Sequence, residues 1–166
     1  MSFAVDVNIL LYASDRASPH STKAMAFLER CASGTEVCCF AWPTLMGYLR
    51  MSTHPAIFKT PLSPLESMRN VEGFLGLPHV RVLSEEEGFW AVYRQVTEGM
   101  AVRGNLVPDA HLAAILRQHD VRTLHTNDVD FKRFDFQDVR NPLAVSQGAF
   151  AKPPRRRAGV APPSPQ

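Results

Sequence analysis

The chain has 166 residues, 45% of them hydrophobic, with 18 basic and 16 acidic side chains and a formal net charge of +2. That length and apolar content fit one globular domain with a sizeable core, and no apolar run approaches the roughly 20 residues of a membrane span. Four of the 18 basic residues, Lys152, Arg155, Arg156 and Arg157, sit near the carboxyl end; without them the balance is −2, which excludes a generally basic nucleic-acid binder and leaves RNA contact to local patches, the tail or metal ions.

In chain order, Ser2–Val5 reads as a short buried strand that ends at Asp6, and Val7–Ser14 continues as a helix. Pro19 starts the next helix, Ala24, Met25, Phe27, Leu28 and Ala32 form its apolar face, and Gly34 ends it. Residues 36–40 form a second strand. Its Cys38 and Cys39, with Cys31, have no metal-ligand spacing and read as buried free thiols. An odd cysteine count and no signal peptide point to the cytoplasm. Trp42–Ser52 is helical, with Pro43 tolerated in its first turn. Trp42, Tyr48 and Leu49 on that helix fit either core packing or an apolar groove.

The stretch 54–64 holds three prolines and reads as a connector. Ser63 then caps a helix through residue 74, with Pro64 at its first position and Glu66 completing a capping box. Val80–Leu83 is a third strand. Ser84 is expected to cap a further helix with Glu85, Glu86 and Glu87 at its positive end. After Gly104 a helix covers 107–119, a fourth strand 121–125, and a short fifth 143–146. Strands alternating with helices predict an α/β fold, a parallel sheet covered on both faces. The domain is expected to span 1–150. In 151–166 Pro and Arg dominate without apolar periodicity, which predicts a disordered tail.

The chemistry concentrates on three aspartates. Asp6 follows the first strand, Asp128 follows the fourth, and Asp109 lies in the first turn of a helix. Ligands in an open α/β sheet bind beyond the carboxyl ends of the strands, so all three can reach one rim. Together they form an anionic cluster that is costly unless hydrated, protonated or bridged by a divalent cation. Oxygen-only ligands suit Mg²⁺ or Mn²⁺, which points to a metal-dependent phosphodiester hydrolase. Asp109 alone also fits a helix-terminus charge, and Asp128 or Asp130 a turn residue. Asp6, beside an apolar strand, fits a bland role less well. Asn8 and Thr126 fit carboxylate- or water-orienting roles as readily as a cap and a turn. Arg50 fits a phosphate or partner contact, or an ion pair at its helix end. His20, His111 and His125 have no metal spacing and read as surface residues of helices or strands.

The motifs Asp6-Val7-Asn8, the helix ending Gly47-Tyr48-Leu49-Arg50, Gly104-Asn105-Leu106-Val107-Pro108-Asp109-Ala110-His111, Thr126-Asn127-Asp128-Val129-Asp130-Phe131 and Asn141-Pro142-Leu143 together resemble the PIN-domain ribonucleases, specifically VapC-type toxins of type II toxin–antitoxin pairs. The resemblance covers about residues 3–145. It implies a Rossmann-like α/β/α sandwich with a mainly parallel sheet of four to five strands, Mg²⁺-dependent RNA cleavage in the cytoplasm, a homodimer, and inhibition by a small cognate antitoxin. It implies metal-ligand roles for Asp6, Asp109 and Asp128, with Asp130 secondary. One position departs: where the family often carries Glu, three residues before Arg50, this chain has Gly47, and no Asp or Glu occurs from 37 to 52. That departure keeps a catalytically silent PIN domain, binding protein or RNA, as the alternative.

Overall fold

The computed structural model describes residues 1–144. Five strands, β1 (Ser2–Val5), β2 (Val37–Ala41), β3 (Val80–Leu83), β4 (Thr123–His125) and β5 (Asp138–Arg140), form one sheet in the order β3-β2-β1-β4-β5 with every neighbouring pair parallel. Six helices connect and cover it: α1 (Val7–Ser14), α2 (Ser21–Ser33), α3 (Trp42–Ser52), α4 (Pro64–Leu75), α5 (Phe89–Val96) and α6 (Leu106–Gln118). All strands being parallel, their carboxyl ends share one edge, and β1 lies at the centre of it.

Strand alternation builds a core on each face. Val5, Cys38, Phe40 and Val80 face α1–α4, where Ile9, Leu10, Leu45 and Tyr48 meet them. Ala4, Cys39, Ala41 and Leu83 face the other way, against Ala113, Ile115 and Leu116 of α6. Cys31, Cys38 and Cys39 are free and buried, as their apolar context predicts. No helix among the described residues is long and apolar enough to cross a membrane.

Local signals placed several elements correctly, and the Ser63 capping box is complete: the Glu66 N–H donates to Ser63 Oγ at 3.2 Å and the Ser63 N–H to Glu66 Oε2 at 2.8 Å. Three expectations need correction. The fifth strand is Asp138–Arg140, not 143–146. Leu143 is instead buried in the first core after a turn in which its N–H donates to Asn141 Oδ1, and residues 145 and 146 lie outside the described residues, as does the tail. Ser84 does not cap a helix. The chain turns at Gly88, whose φ of 78° is left-handed, and α5 starts after it. Gln118 and His119 at the end of α6 take up the Glu85–Glu87 segment instead: the Glu86 N–H donates to Gln118 Oε1, the Gln118 amide donates to the Glu86 and Glu87 carbonyls, and a ring nitrogen of His119 meets the Ser84 carbonyl. His125 is not a surface residue. Its ring lies between Phe3 and Phe27, at 5.2 and 4.7 Å, its Nδ1 is buried with no hydrogen-bond partner among the described residues, and burial first, then Arg140, lowers its pKa.

Because the capping box lies on an exposed turn, Ser63→Ala should lower unfolding free energy by about 1 kcal/mol. Denaturant titration checks this, and a loss several-fold larger would place Ser63 in the core instead.

Candidate active site at the carboxyl edge of the sheet

β1 and β4 are neighbours, so the residues that follow them meet. The Asp6 N–H donates to the His125 carbonyl at 3.0 Å, extending the ladder by one rung. Asp6 then caps α1, accepting the Val7 N–H on Oδ1 at 2.7 Å. Its carboxylate is 6% exposed. Oδ2 accepts two further bonds, from the Thr126 hydroxyl at 2.7 Å and the Asn8 amide at 2.9 Å. Thr126 is 1% exposed and works in both directions, for its Oγ1 also accepts the Asp128 N–H at 2.9 Å. Asn8 bridges the segments that follow β1 and β4: its amide reaches Thr126 Oγ1 at 2.9 Å and its Oδ1 accepts the Asn127 N–H at 3.3 Å. Asn8 and Thr126 both bond the Asp6 carboxylate, and Thr126 makes the turn bond to the Asp128 N–H as well.

Asp128 caps the 3₁₀ turn Val129–Arg133, accepting the Asp130 N–H on Oδ1 at 2.8 Å. Asp130 pairs with Arg133 at 3.0 Å on the exposed side of that turn. Asp109 is half-buried in the first turn of α6 and accepts no side-chain hydrogen bond from the described residues, so its oxygens are open to water. Arg50 is exposed in the last turn of α3 and makes no ion pair among the described residues.

The charges feel one another. Burial pushes the Asp6 carboxyl up to about 6, against the bonds from Thr126 and Val7, with Asp128 adding repulsion. Asp109 also rises to about 6, through burial first and then the charges of Asp128, Asp6 and Asp130. Yet no three His, Cys, Asp or Glu side chains among the described residues stand close enough to hold one ion directly. Both statements hold, because repulsion between carboxylates outreaches the 2.0–2.6 Å of a metal–oxygen bond. The donor set is oxygen-only, excess negative charge is concentrated there, and free lone pairs remain. It fits a hard divalent cation that keeps part of its water shell rather than a dehydrated cage.

One link escaped the sequence. Asn127 accepts the Asn141 amide on its Oδ1 at 2.7 Å, tying the Asp128 turn to the segment after β5. Trp42, read with Tyr48 and Leu49, is 43% exposed, whereas Tyr48 is 2% exposed and bonded to Ser14 and Asn70. No local sequence signal separates these two aromatic residues; their positions on α3 relative to the sheet do. Gly47 faces α1, and a Cβ there would lie 3.7 Å from Val7 Cγ2 and 3.6 Å from Met51 Cε, ordinary contacts.

A profile of the PIN domain matches residues 3–137. Ribonuclease VapC48 of Mycobacterium tuberculosis is 43% identical over 144 residues, which are 87% of this chain and 99% of that protein. Ribonuclease VapC43 of the same species is 32% identical over 139 residues, covering 84% and 94%. Among solved structures, VapBC2 of Rickettsia felis bound to a promoter DNA fragment superposes with a TM-score of 0.60 at 18% identity, covering 85% of this chain and 98% of that one. VapC20 of Mycobacterium tuberculosis, described as a sarcin–ricin-loop-cleaving toxin, gives 0.60 at 16% identity, covering 84% and 99%. These superpositions show a shared fold.

The raised acids have a consequence for stability. Between the ordinary aspartate value of 3.8 and about 6, the folded chain holds a proton on Asp6 that the unfolded chain has released. The stabilisation is complete below the unfolded value and is lost as pH rises through about 6. For Asp6 the loss is on the order of 3 kcal/mol. In chelator, unfolding free energy should therefore fall from pH 4.5 to 7.5, and Asp6→Asn should flatten that slope. Parallel slopes in parent and variant would contradict the assignment.

Proposed function

The chain belongs to the PIN-domain family, and we propose that it is a divalent-metal-dependent endoribonuclease acting as the toxin of a toxin–antitoxin pair, with Asp6, Asp109 and Asp128 as its acidic centre. The observation that carries the reading is the Asp6–Thr126–Asn8 arrangement, which holds one buried carboxylate within electrostatic reach of Asp128 after β4 and Asp109 in the first turn of α6. Relatives at 43% and 32% identity carry the name ribonuclease, which supports the reaction class.

Hydrolysis of a phosphodiester needs a positioned water, charge relief on the phosphate and stabilisation of the departing oxygen. A bound divalent cation, Mg²⁺ with Mn²⁺ as substitute, supplies Lewis acidity and a more acidic water. The chain's part is geometric. Thr126 and Asn8 fix Asp6 Oδ2, the Thr126 hydroxyl also fixes the Asp128 backbone, and the two carboxylates cannot drift apart independently. Asp109, free of hydrogen bonds from described side chains, remains available to orient water. Asp130 keeps a secondary role because Arg133 already neutralises part of its charge.

For partners, we infer RNA as substrate, a small antitoxin and a homodimer, within the cytoplasm. Solved structures of VapBC2 bound to a promoter DNA fragment and of FitAB bound to a DNA fragment share the fold. A cleft of about 500 Å³ between α1, α2, α3 and α4, lined by Leu10, Met25, Leu28, Tyr48, Val71 and Phe74, is where we place an apolar segment of the antitoxin. A basic side chain from that partner among the carboxylates would neutralise them as a cation does.

Asp6→Asn should abolish RNA cleavage and lose the stabilisation by Mg²⁺ at pH 7.5 that the parent shows. Full cleavage by a pure Asp6→Asn preparation sinks the site assignment.

Gly47 favours the second reading, a catalytically silent PIN domain, because α3 gives the rim no carboxylate. Gly47 has room for a side chain against Val7, the residue after Asp6. Gly47→Glu should lower the Mg²⁺ concentration needed for half-maximal cleavage by several-fold, and Gly47→Gln should not. Equal behaviour of the two means position 47 does not serve the metal. No cleavage by parent or Gly47→Glu at saturating metal makes the silent domain the better account.

A further inference from the structure

Trp42 belongs to neither of the two cores. It is 43% exposed, while Ala41, its predecessor and the last residue of β2, is 1% exposed. Strands β1 and β2 run in parallel with Ala4 opposite Cys39. Two residues further along, Ala41 is level with Asp6, about one strand spacing of 4.8 Å away. Trp42 therefore leaves the sheet at the same edge, next to the strand that delivers the buried carboxylate. Helix α3 is held there, with Gly47 against Val7.

The exposed face of α3 is not random. Trp42, Met46 and Arg50 follow one another at four-residue spacing and are exposed, while Leu45 and Tyr48 are buried. Trp42 has no aromatic partner among the described residues, and its indole N–H makes no hydrogen bond among them. Trp90 offers a contrast, since its ring lies flat on Tyr93 at 5.3 Å and 9°. An indole left open beside an anionic, metal-fitting centre has the chemistry of a base-stacking platform. Single-stranded RNA is read mainly by stacking unpaired bases on aromatic rings, while cations take the phosphates. Arg50, two turns along the same face, supplies such a cation about 12 Å away. A second copy of the chain is the poorer occupant: one indole and one methionine offer far less area than the roughly 1,200 Å² of a stable interface.

We propose that Trp42 forms a nucleobase subsite, stacking an unpaired base next to the scissile phosphate. The inference rests on the ribonuclease reading and deepens it. Stacking of this kind changes affinity by roughly ten-fold or more per base.

The chain has two tryptophans, so in a Trp90→Phe protein the fluorescence reports on Trp42 alone. With Mg²⁺ present, a single-stranded RNA oligonucleotide should quench that fluorescence and its fully paired duplex should not. In cleavage of the same oligonucleotide, Trp42→Ala should raise KM about ten-fold with kcat within about three-fold, and Trp42→Phe should restore most of the loss. Removing the base beside the cleaved bond should weaken the parent equally and add nothing in Trp42→Ala. Unchanged KM, or equal quenching by the duplex, overturns the subsite. So does a Trp42→Ala protein that falls from dimer to monomer by light scattering, since the ring would then be an intersubunit contact. If the parent cleaves no RNA at all, the ribonuclease reading fails separately, and selective quenching by single-stranded RNA still decides whether Trp42 stacks a base.

Discussion

One hydrogen-bonded carboxylate constrains the rest of the molecule. Asp6 is 6% exposed at the end of an apolar strand, a placement that costs several kcal/mol unless its charge is matched or removed. Three donors offset that cost, and one of them, Thr126, lies 120 residues away. The bond exists only because β4 is inserted beside β1 in the order β3-β2-β1-β4-β5. Any other position for β4 leaves Asp6 Oδ2 without Thr126, and leaves the Asn127 N–H without Asn8 Oδ1. Sheet order and site geometry are thus one constraint, imposed by the need to satisfy a buried anion.

The same constraint makes the edge electrostatically unfavourable. Burial and mutual repulsion raise both Asp6 and Asp109 toward neutrality. The fold tolerates this because stability resides elsewhere, in two separate cores that flank the sheet. A region that contributes little to stability is free to be tuned for binding. It also follows that any cation placed there gains energy by relieving the repulsion, whether it is a metal ion or a basic side chain of a partner. Catalysis and inhibition would then draw on one deficit of positive charge, and a partner's cation and a metal would exclude each other by electrostatics as well as by space.

What could be read from the sequence divides along the range of the interactions involved. β1, β3, α1 and α3 have the expected limits because each is set by its own apolar pattern and by an adjacent cap or proline. The Ser63 capping box is purely local and was fully legible. β5 was misplaced because it is an edge strand in which only Val139 is half-buried, whereas the more apolar Leu143 serves the core from a turn. The Glu85–Glu87 run misled because helix-dipole preference is worth less than bonds from Gln118 and His119, more than 30 residues away. At the site, the aspartates and their neighbours Asn8 and Thr126 were legible as residue types in suitable places. The Asn127–Asn141 link was not, since nothing in either segment specifies the other.

Helix α3 shows how the edge divides its labour. Charge reaches the rim from the ends of β1 and β4 and from the first turn of α6, each carrying an aspartate. The helix that follows β2 brings none: at its start is an exposed indole, and where it crosses α1 there is Gly47. Glycine inside a helix costs roughly 0.5–1 kcal/mol relative to alanine, yet with no side chain it lets α3 lie close to Val7, the residue after Asp6. On this side the helix brings an exposed aromatic side chain and no carboxylate, so on the proposed reading the strength of cation binding and the choice of nucleotide fall to different elements of the fold.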